Sequence, residues 1–114
     1  MVIHRGDIFW TEFDPVAGCE MGKTRPAVVV QNDTGNRLSP TTIVATVTSR
    51  LGGCDYPFLV GIPQGVLPKA WIVNCAHIRT VDKSRLKPGR IAALDPETMA
   101  CVDDALRASL GLTK

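Results

Sequence analysis

Arg5–Asp33 reads RGDIFWTEFDPVAGCEMGKTRPAVVVQND, and Asn36–Ser49 reads NRLSPTTIVATVTS. Three runs in these stretches have the composition of strands. Gly6–Phe13 is rich in aromatic and aliphatic residues, and alternate side chains face opposite sides. Ala27–Gln31 is a short, continuous, valine-rich run, the pattern of a buried strand. Thr42–Val47, TIVATV, is again β-branched. Asp14-Pro15 stops the first run. Residues 14–24, DPVAGCEMGKT, hold two glycines and mixed polarity and read as a long mobile connection. Pro26 drives Arg25 toward an extended conformation at the mouth of the second run. Asn32–Pro40, with Gly35 and Ser39-Pro40, reads as a loop.

Further along, Leu51-Gly52-Gly53 marks a turn and Phe58–Ile62 a fourth strand. Pro63, Gly65 and Pro68 break the chain again. Ala70–Val73 and Ala76–Thr80 suggest a fifth strand, interrupted near Asn74. Asp82 can cap one short helical turn through Leu86, and Arg90–Ala92 is a last short strand. The C-terminus reads as a helix. Asp95 suits the N-cap, Pro96 the first helical position and Glu97 the positive dipole end. Met99, Val102, Leu106 and Leu110, with Ala105 beside them, form a core-facing stripe, and Gly111 is a natural stop. Many short strands and one late helix predict a mainly β fold: a small antiparallel barrel covered by a helix.

The chain has 114 residues, so residues 1–114 are expected to form one domain. Hydrophobic residues make up 45% and charged residues 21%, ordinary for a globular domain. No apolar run approaches the ~18 residues needed to span a bilayer, and MVIHRGD lacks the apolar segment of a signal peptide. A cytoplasmic protein without a membrane partner is expected. The cysteines, Cys19, Cys54, Cys75 and Cys101, form no CxxC pair, and His4 and His77 stand far apart. A structural zinc site wants closely spaced ligand pairs, so no metal is expected, and a reducing cytosol argues against disulfides. Cys75 and Cys101 read as small semi-apolar fillers, Cys19 and Cys54 as candidate exposed thiols.

The net charge of +2 is too small to announce a nucleic-acid partner, but its distribution is uneven. Residues 63–90 hold Lys69, Arg79, Lys83, Arg85, Lys87 and Arg90 against Asp82 alone, while residues 91–114 are rich in Asp and Glu. Either a basic face for a polyanion or a solvated loop region accounts for this.

The opening RGDI, the Gly18-Cys19-Glu20 segment and the Lys23–Pro26 step carry a pattern that continues in Gln31-Asn32-Asp33, Asn36–Thr41 and Thr48-Ser49. In order and spacing the chain resembles the MazF/PemK family of toxin endoribonucleases over nearly its whole length. It departs at Cys19, where serine is usual, and at Met21 and Lys23, where glutamine and glycine are common. Those departures bear on base preference rather than on reaction type. The resemblance implies an SH3-like barrel with a C-terminal helix, assembled as a homodimer. It also implies a sequence-specific, metal-independent endoribonuclease without cofactor, the toxin component of a type II toxin–antitoxin system. Its substrate would be single-stranded RNA, mRNA above all, and its inhibitor a cognate antitoxin with an acidic disordered segment.

Cleaving RNA without a metal requires help in deprotonating the ribose 2′-OH, a cation for the charge growing on the phosphoryl oxygens, and assistance to the departing 5′-oxygen. Arg25 suits the cation, since its planar fork matches two phosphate oxygens. A strand-edge arginine paired with Glu20 or Asp7 is the rival reading. Thr48 has a hydroxyl at a strand end, where it can donate to phosphate or orient the 2′-OH; otherwise it is simply a β-branched strand residue. The resemblance places the family's essential arginine at Arg25, its catalytic hydroxyl at Thr48 and an acidic residue at Glu20. Glu20 would accept a proton or orient Arg25. Lys23, Ser49, Lys69 and Arg79 are candidate RNA contacts. His4 and His77 are imaginable bases, although isolated histidines are more often structural. Trp10 and Trp71 suit either base stacking or burial. Two other classes remain open: a non-enzymatic gyrase poison of the CcdB type on the same fold, and a binding module that leaves RNA intact.

Overall fold

A computed structural model of the chain describes residues 2–13, 24–48, 57–63 and 71–112. Its strands are β1 (Asp7–Glu12), β2 (Thr24–Val29), β3 (Thr41–Thr48), β4 (Leu59–Gly61), β5 (Ile72–Asp82) and β6 (Ala92–Ala93). Its helices are α1 (Asp33–Leu38) and α2 (Pro96–Leu110). The strands form one antiparallel sheet in the order β4-β5-β3-β2-β1-β6. The sheet curls far enough for chain after β5 to return to β1. Thr11 bridges Leu86, and Lys87 N–H donates to Trp10 O at 2.7 Å. The architecture is the expected one, mostly β with a C-terminal helix.

Pleating sorts the side chains into two cores. On the outer face, Ile8, Val28, Ala45, Val47, Val73 and Cys75 pack against Val102 and Ala105 of α2. On the inner face, Phe9, Phe13, Ala27, Val29, Val44 and Leu86 form a second cluster with Ile3. The predicted helix punctuation holds. Asp95 accepts from Thr98 N–H at 2.7 Å, Pro96 opens α2, and Gly111 ends it in the left-handed region at φ 72°. Asp82 likewise caps the 3-10 turn Lys83–Arg85.

The Arg5-Gly6-Asp7 sequence is a joint. Arg5 Nε donates to Val30 O at 2.8 Å, and its guanidinium meets Asp103 of α2 at 2.6 Å. Gly6 adopts φ 96°, with Met99 side-chain atoms 3.4 Å from where a Cβ would stand. Buried Asp7 accepts from His4 N–H at 2.9 Å and pairs with Arg90 at 3.3 Å.

Some details differ from the sequence reading. Asp33–Leu38 is a short helix, not loop. Its N-cap Asn32 accepts from Gly35 N–H, and buried Asn36 fixes it to the sheet. Asn36 accepts from Thr42 Oγ1 at 2.7 Å and donates to Gln31 O at 2.9 Å, while Lys83 Nζ reaches its carbonyl. β5 is one continuous strand with a bulge rather than two pieces. Its register against β3 shifts between Ala45 and Thr46. Leu110 is 54% exposed, because the last turn of α2 lies outside the packed core. Cys101 is exposed and Cys75 is buried, so only one of the two is a filler. No helix among the described residues is long and apolar enough to cross a membrane.

Candidate active site

The β2–β3 register creates the site. Ala27 pairs with Thr46, Val28 with Ala45 and Val29 with Val44. Continuing that register by two residues sets Arg25 opposite Thr48. Residues directly opposite on antiparallel strands point to the same side, and for Arg25 and Thr48 that is the inner face, shared with Ala27 and Val29.

Pro26 explains why this pair stands beyond the end of the ladder rather than inside it. Val30 N–H donates to Ile43 O at 2.9 Å, so even-numbered residues of β2 aim their N–H groups at β3. Pro26 occupies the next such position after Val28, toward the start of the strand, and has no N–H to give. The β2–β3 ladder stops at Ala27, and Arg25 and Thr48 face each other just beyond its last rung. On its other side Arg25 remains paired with Thr11 of β1, and Thr48 remains paired with Ile72 of β5. Arg25 is exposed and Thr48 half-buried, which suits a cation held at the rim and a hydroxyl set deeper.

Arg79 shares the inner face, opposite Val44. It stands about 13 Å along the strand direction from Thr48, four residues at strand rise. Its guanidinium lies 5.2 Å from the centroid of the Phe13 ring. The continued register thus sets Arg25 and Thr48 on one face near the end of the ladder, and Arg79 shares that face farther along. Glu20, Lys23, Ser49 and Lys69 lie outside the described residues, as do Cys19 and Cys54.

Geometry bears on two of the rival readings. Asp7 does not pair with Arg25: Arg90 holds it, and it lies four residues along β1 from Thr11, the residue opposite Arg25. The basic excess of residues 63–90 is also largely engaged within the chain. Lys87 pairs with Glu12 at 3.1 Å, Arg90 with Asp7, and Lys83 with the Asn36 carbonyl. His4 and His77 are both exposed and sit on no shared site. Trp10 is exposed, and Trp71 is half-buried against the outer core.

One row inward from Arg25 and Thr48, Thr46 of β3 lies opposite Asn74 of β5. The sequence reading gave neither a role in the site. The available signal was the alternation of threonines with valines in TIVATVT, which puts Thr42, Thr46 and Thr48 on one face.

The model of the family described as PemK-like, MazF-like toxin of type II toxin-antitoxin system matches residues 4–110. The chain belongs to that family. Solved PemK/MazF-type structures agree throughout its length. Crystalline MazF from Deinococcus radiodurans is 30% identical, with a TM-score of 0.82, covering 98% of this chain and 99% of that one. The MazE–MazF complex from the same organism is also 30% identical, with a TM-score of 0.81, covering 99% of both chains. An endoribonuclease from Mycobacterial species, solved with its cognate antitoxin, is 23% identical with a TM-score of 0.77, covering 98% of each chain. At that identity the likeness speaks for the fold alone. The PemK/MazF framework thus accounts for both cores, the curled sheet and the helix on its outer face.

Proposed function

We propose that this chain is the endoribonuclease toxin of a type II toxin–antitoxin system and cuts single-stranded RNA, mRNA above all, at selected sequences. The reading is supported by the β2–β3 register, which continued two residues past Ala27 and Thr46 sets Arg25 opposite Thr48, in a chain of the PemK/MazF family.

The reaction is internal transesterification. The ribose 2′-oxygen loses its proton and attacks the adjacent phosphorus. A P–O2′ bond forms, the P–O5′ bond breaks, and the 5′-oxygen leaves as a hydroxyl after taking a proton. The products carry a 2′,3′-cyclic phosphate and a 5′-hydroxyl. DNA resists because it lacks the nucleophile. Arg25 holds the nonbridging phosphoryl oxygens through its two-pronged donor set as negative charge grows on them. Thr48 donates to the phosphate or orients the 2′-OH. Glu20 takes the proton or orients Arg25, and Lys23, Ser49, Lys69 and Arg79 contact the RNA. A cation and a hydroxyl supply the electrostatic part of this chemistry without a metal or cofactor.

Message cleavage in the cytoplasm stops translation. A cognate antitoxin silences the toxin through an acidic, partly disordered segment that orders on binding and competes with RNA for the same cationic site of a homodimer. A gyrase poison of the CcdB type is disfavoured, since it has no use for an arginine and a hydroxyl at this place. A binding module would leave RNA whole. The test is to incubate the protein with a long RNA in chelator and map the ends. Cyclic or 3′-phosphate and 5′-hydroxyl ends are expected. A strict magnesium requirement or 5′-phosphate ends would sink the mechanism, and intact RNA the nuclease reading itself.

A further inference from the structure

We infer that Asn74 and Thr46 form a base-reading pair on the floor of the inner face, one row inward from Arg25 and Thr48. The inference rests on the nuclease reading above and adds to it the residues that select the base next to the cut.

Three features of the strands lead to it. Asn74 of β5 is directly opposite Thr46 of β3, so their side chains share a face and start about 5 Å apart. That face is the inner one, since Thr46 is also opposite Ala27 of the inner core. Thr46 is two residues from Thr48, about 7 Å along the strand, a span that the sugar and base of one nucleotide can bridge. Both residues are half-buried, open to a ligand yet walled by neighbours.

The bulge in β5 sets Asn74's orientation. The register shift falls immediately after Asn74, and Ala76 N–H donates to Asn74 Oδ1 at 3.0 Å. A backbone N–H must meet an oxygen, so this bond settles which end of the carboxamide is which. The oxygen is committed to the bulge and the NH2 group points away from it as a donor. Bulges commonly re-aim a side chain in this manner. Among the described residues neither the Asn74 NH2 nor the Thr46 hydroxyl has a hydrogen-bond partner. Together they offer a fixed donor beside a hydroxyl that can donate or accept. That set matches the edge of an unpaired nucleobase, where an acceptor stands beside an N–H group.

Three forms decide the matter: wild type, Asn74→Asp and Thr46→Val. Each is incubated with one long RNA, and the base frequencies at every position around the cuts are compared within each protein. Asn74→Asp is the sharper variant. Its carboxylate still accepts from Ala76 N–H, so the bulge stays locked, while the outward group changes from donor to acceptor. Thr46→Val removes the hydroxyl at nearly constant shape. Both variants should still cut, and the preference at one and the same position flanking the cut should fall or reverse by about tenfold or more. Unchanged preferences at every position, whatever the overall rate, would overturn the inference and leave the nuclease reading standing. Wild-type protein that leaves RNA intact would overturn both together.

Discussion

Arg79 of β5 lies over the ring of Phe13, just past the end of β1, although β3 and β2 separate those strands in the sheet. The contact crosses the inner face and marks how tightly the sheet curls. Arg79 therefore has a structural task as well as a charge to offer. Arg79→Ala should cost ~0.5–1 kcal/mol of stability, read in denaturant unfolding. It should weaken RNA affinity and flatten its salt dependence by about one phosphate contact, while the cleavage rate of bound RNA stays near wild type. A large loss in that rate would move Arg79 into the reacting centre.

Arg25→Ala is the reverse case. The side chain is exposed at a strand end, so the unfolding midpoint should hardly move. Cleavage of bound RNA should drop by about 10²–10³, the usual cost of one preorganised donor. Thr48→Ala should be severe and Glu20→Ala milder. Wild-type cleavage by Arg25→Ala would show the site to be elsewhere.

How much of this was legible in the sequence depended on how local each signal was. The helix α2 announced itself because Asp95, Pro96 and Gly111 act within one turn. The helix α1 did not, because six residues containing Gly35 have little intrinsic helicity. It stands on the hydrogen bonds of Asn36 to Gln31 and Thr42, which need the folded sheet. Asn74 looked like a strand break because a bulge and an interruption read alike in one dimension. Lys87 and Arg90 looked free because Glu12 and Asp7 lie far away in sequence. Arg25 and Thr48 were each visible as residue types, but their opposition follows from strand register, which only pairing reveals.

Three carboxylates tie stability to pH. Asp33 accepts from Arg5 N–H, Asp82 from Ser84 N–H, and Asp95 from Thr98 by side chain and backbone; each is held below the usual carboxylate range. A lowered folded value contributes stability above the ordinary value near 4 and loses it as pH falls through the folded one. The urea midpoint should therefore be flat from about pH 7 to 5 and decline below about 4. Asp95→Asn, which still caps but cannot be protonated in that range, should soften the decline. A midpoint unchanged down to pH 2 would contradict the assignment.

The two described thiols should behave differently. Burial, with a smaller contribution from Asp103, pushes the Cys75 thiol up to about 11 from an ordinary 9.0, so at pH 8 it holds about a hundredfold less thiolate. Cys101 is exposed. Alkylation followed by peptide mass spectrometry should label Cys101 promptly and Cys75 only on unfolding. Equal rates would mean that the outer core opens readily.

Gly6 is required by its backbone. At φ 96°, with Met99 side-chain atoms 3.4 Å from an added Cβ, Gly6→Ala should cost about 1–3 kcal/mol. Thermal unfolding would detect it, and a neutral result would mean that the joint between β1 and α2 relaxes freely.

The division of the sheet into two faces has a hereditary consequence. Along β3, Ala45 and Val47 address the helix, while Val44, Thr46 and Thr48 address the inner space. One strand thus carries two interleaved texts, each read from its own side. A lineage can respell an inner letter such as Thr46 while Thr48 and the scaffold's text stay unedited, so that the machine that does the cutting keeps its shape.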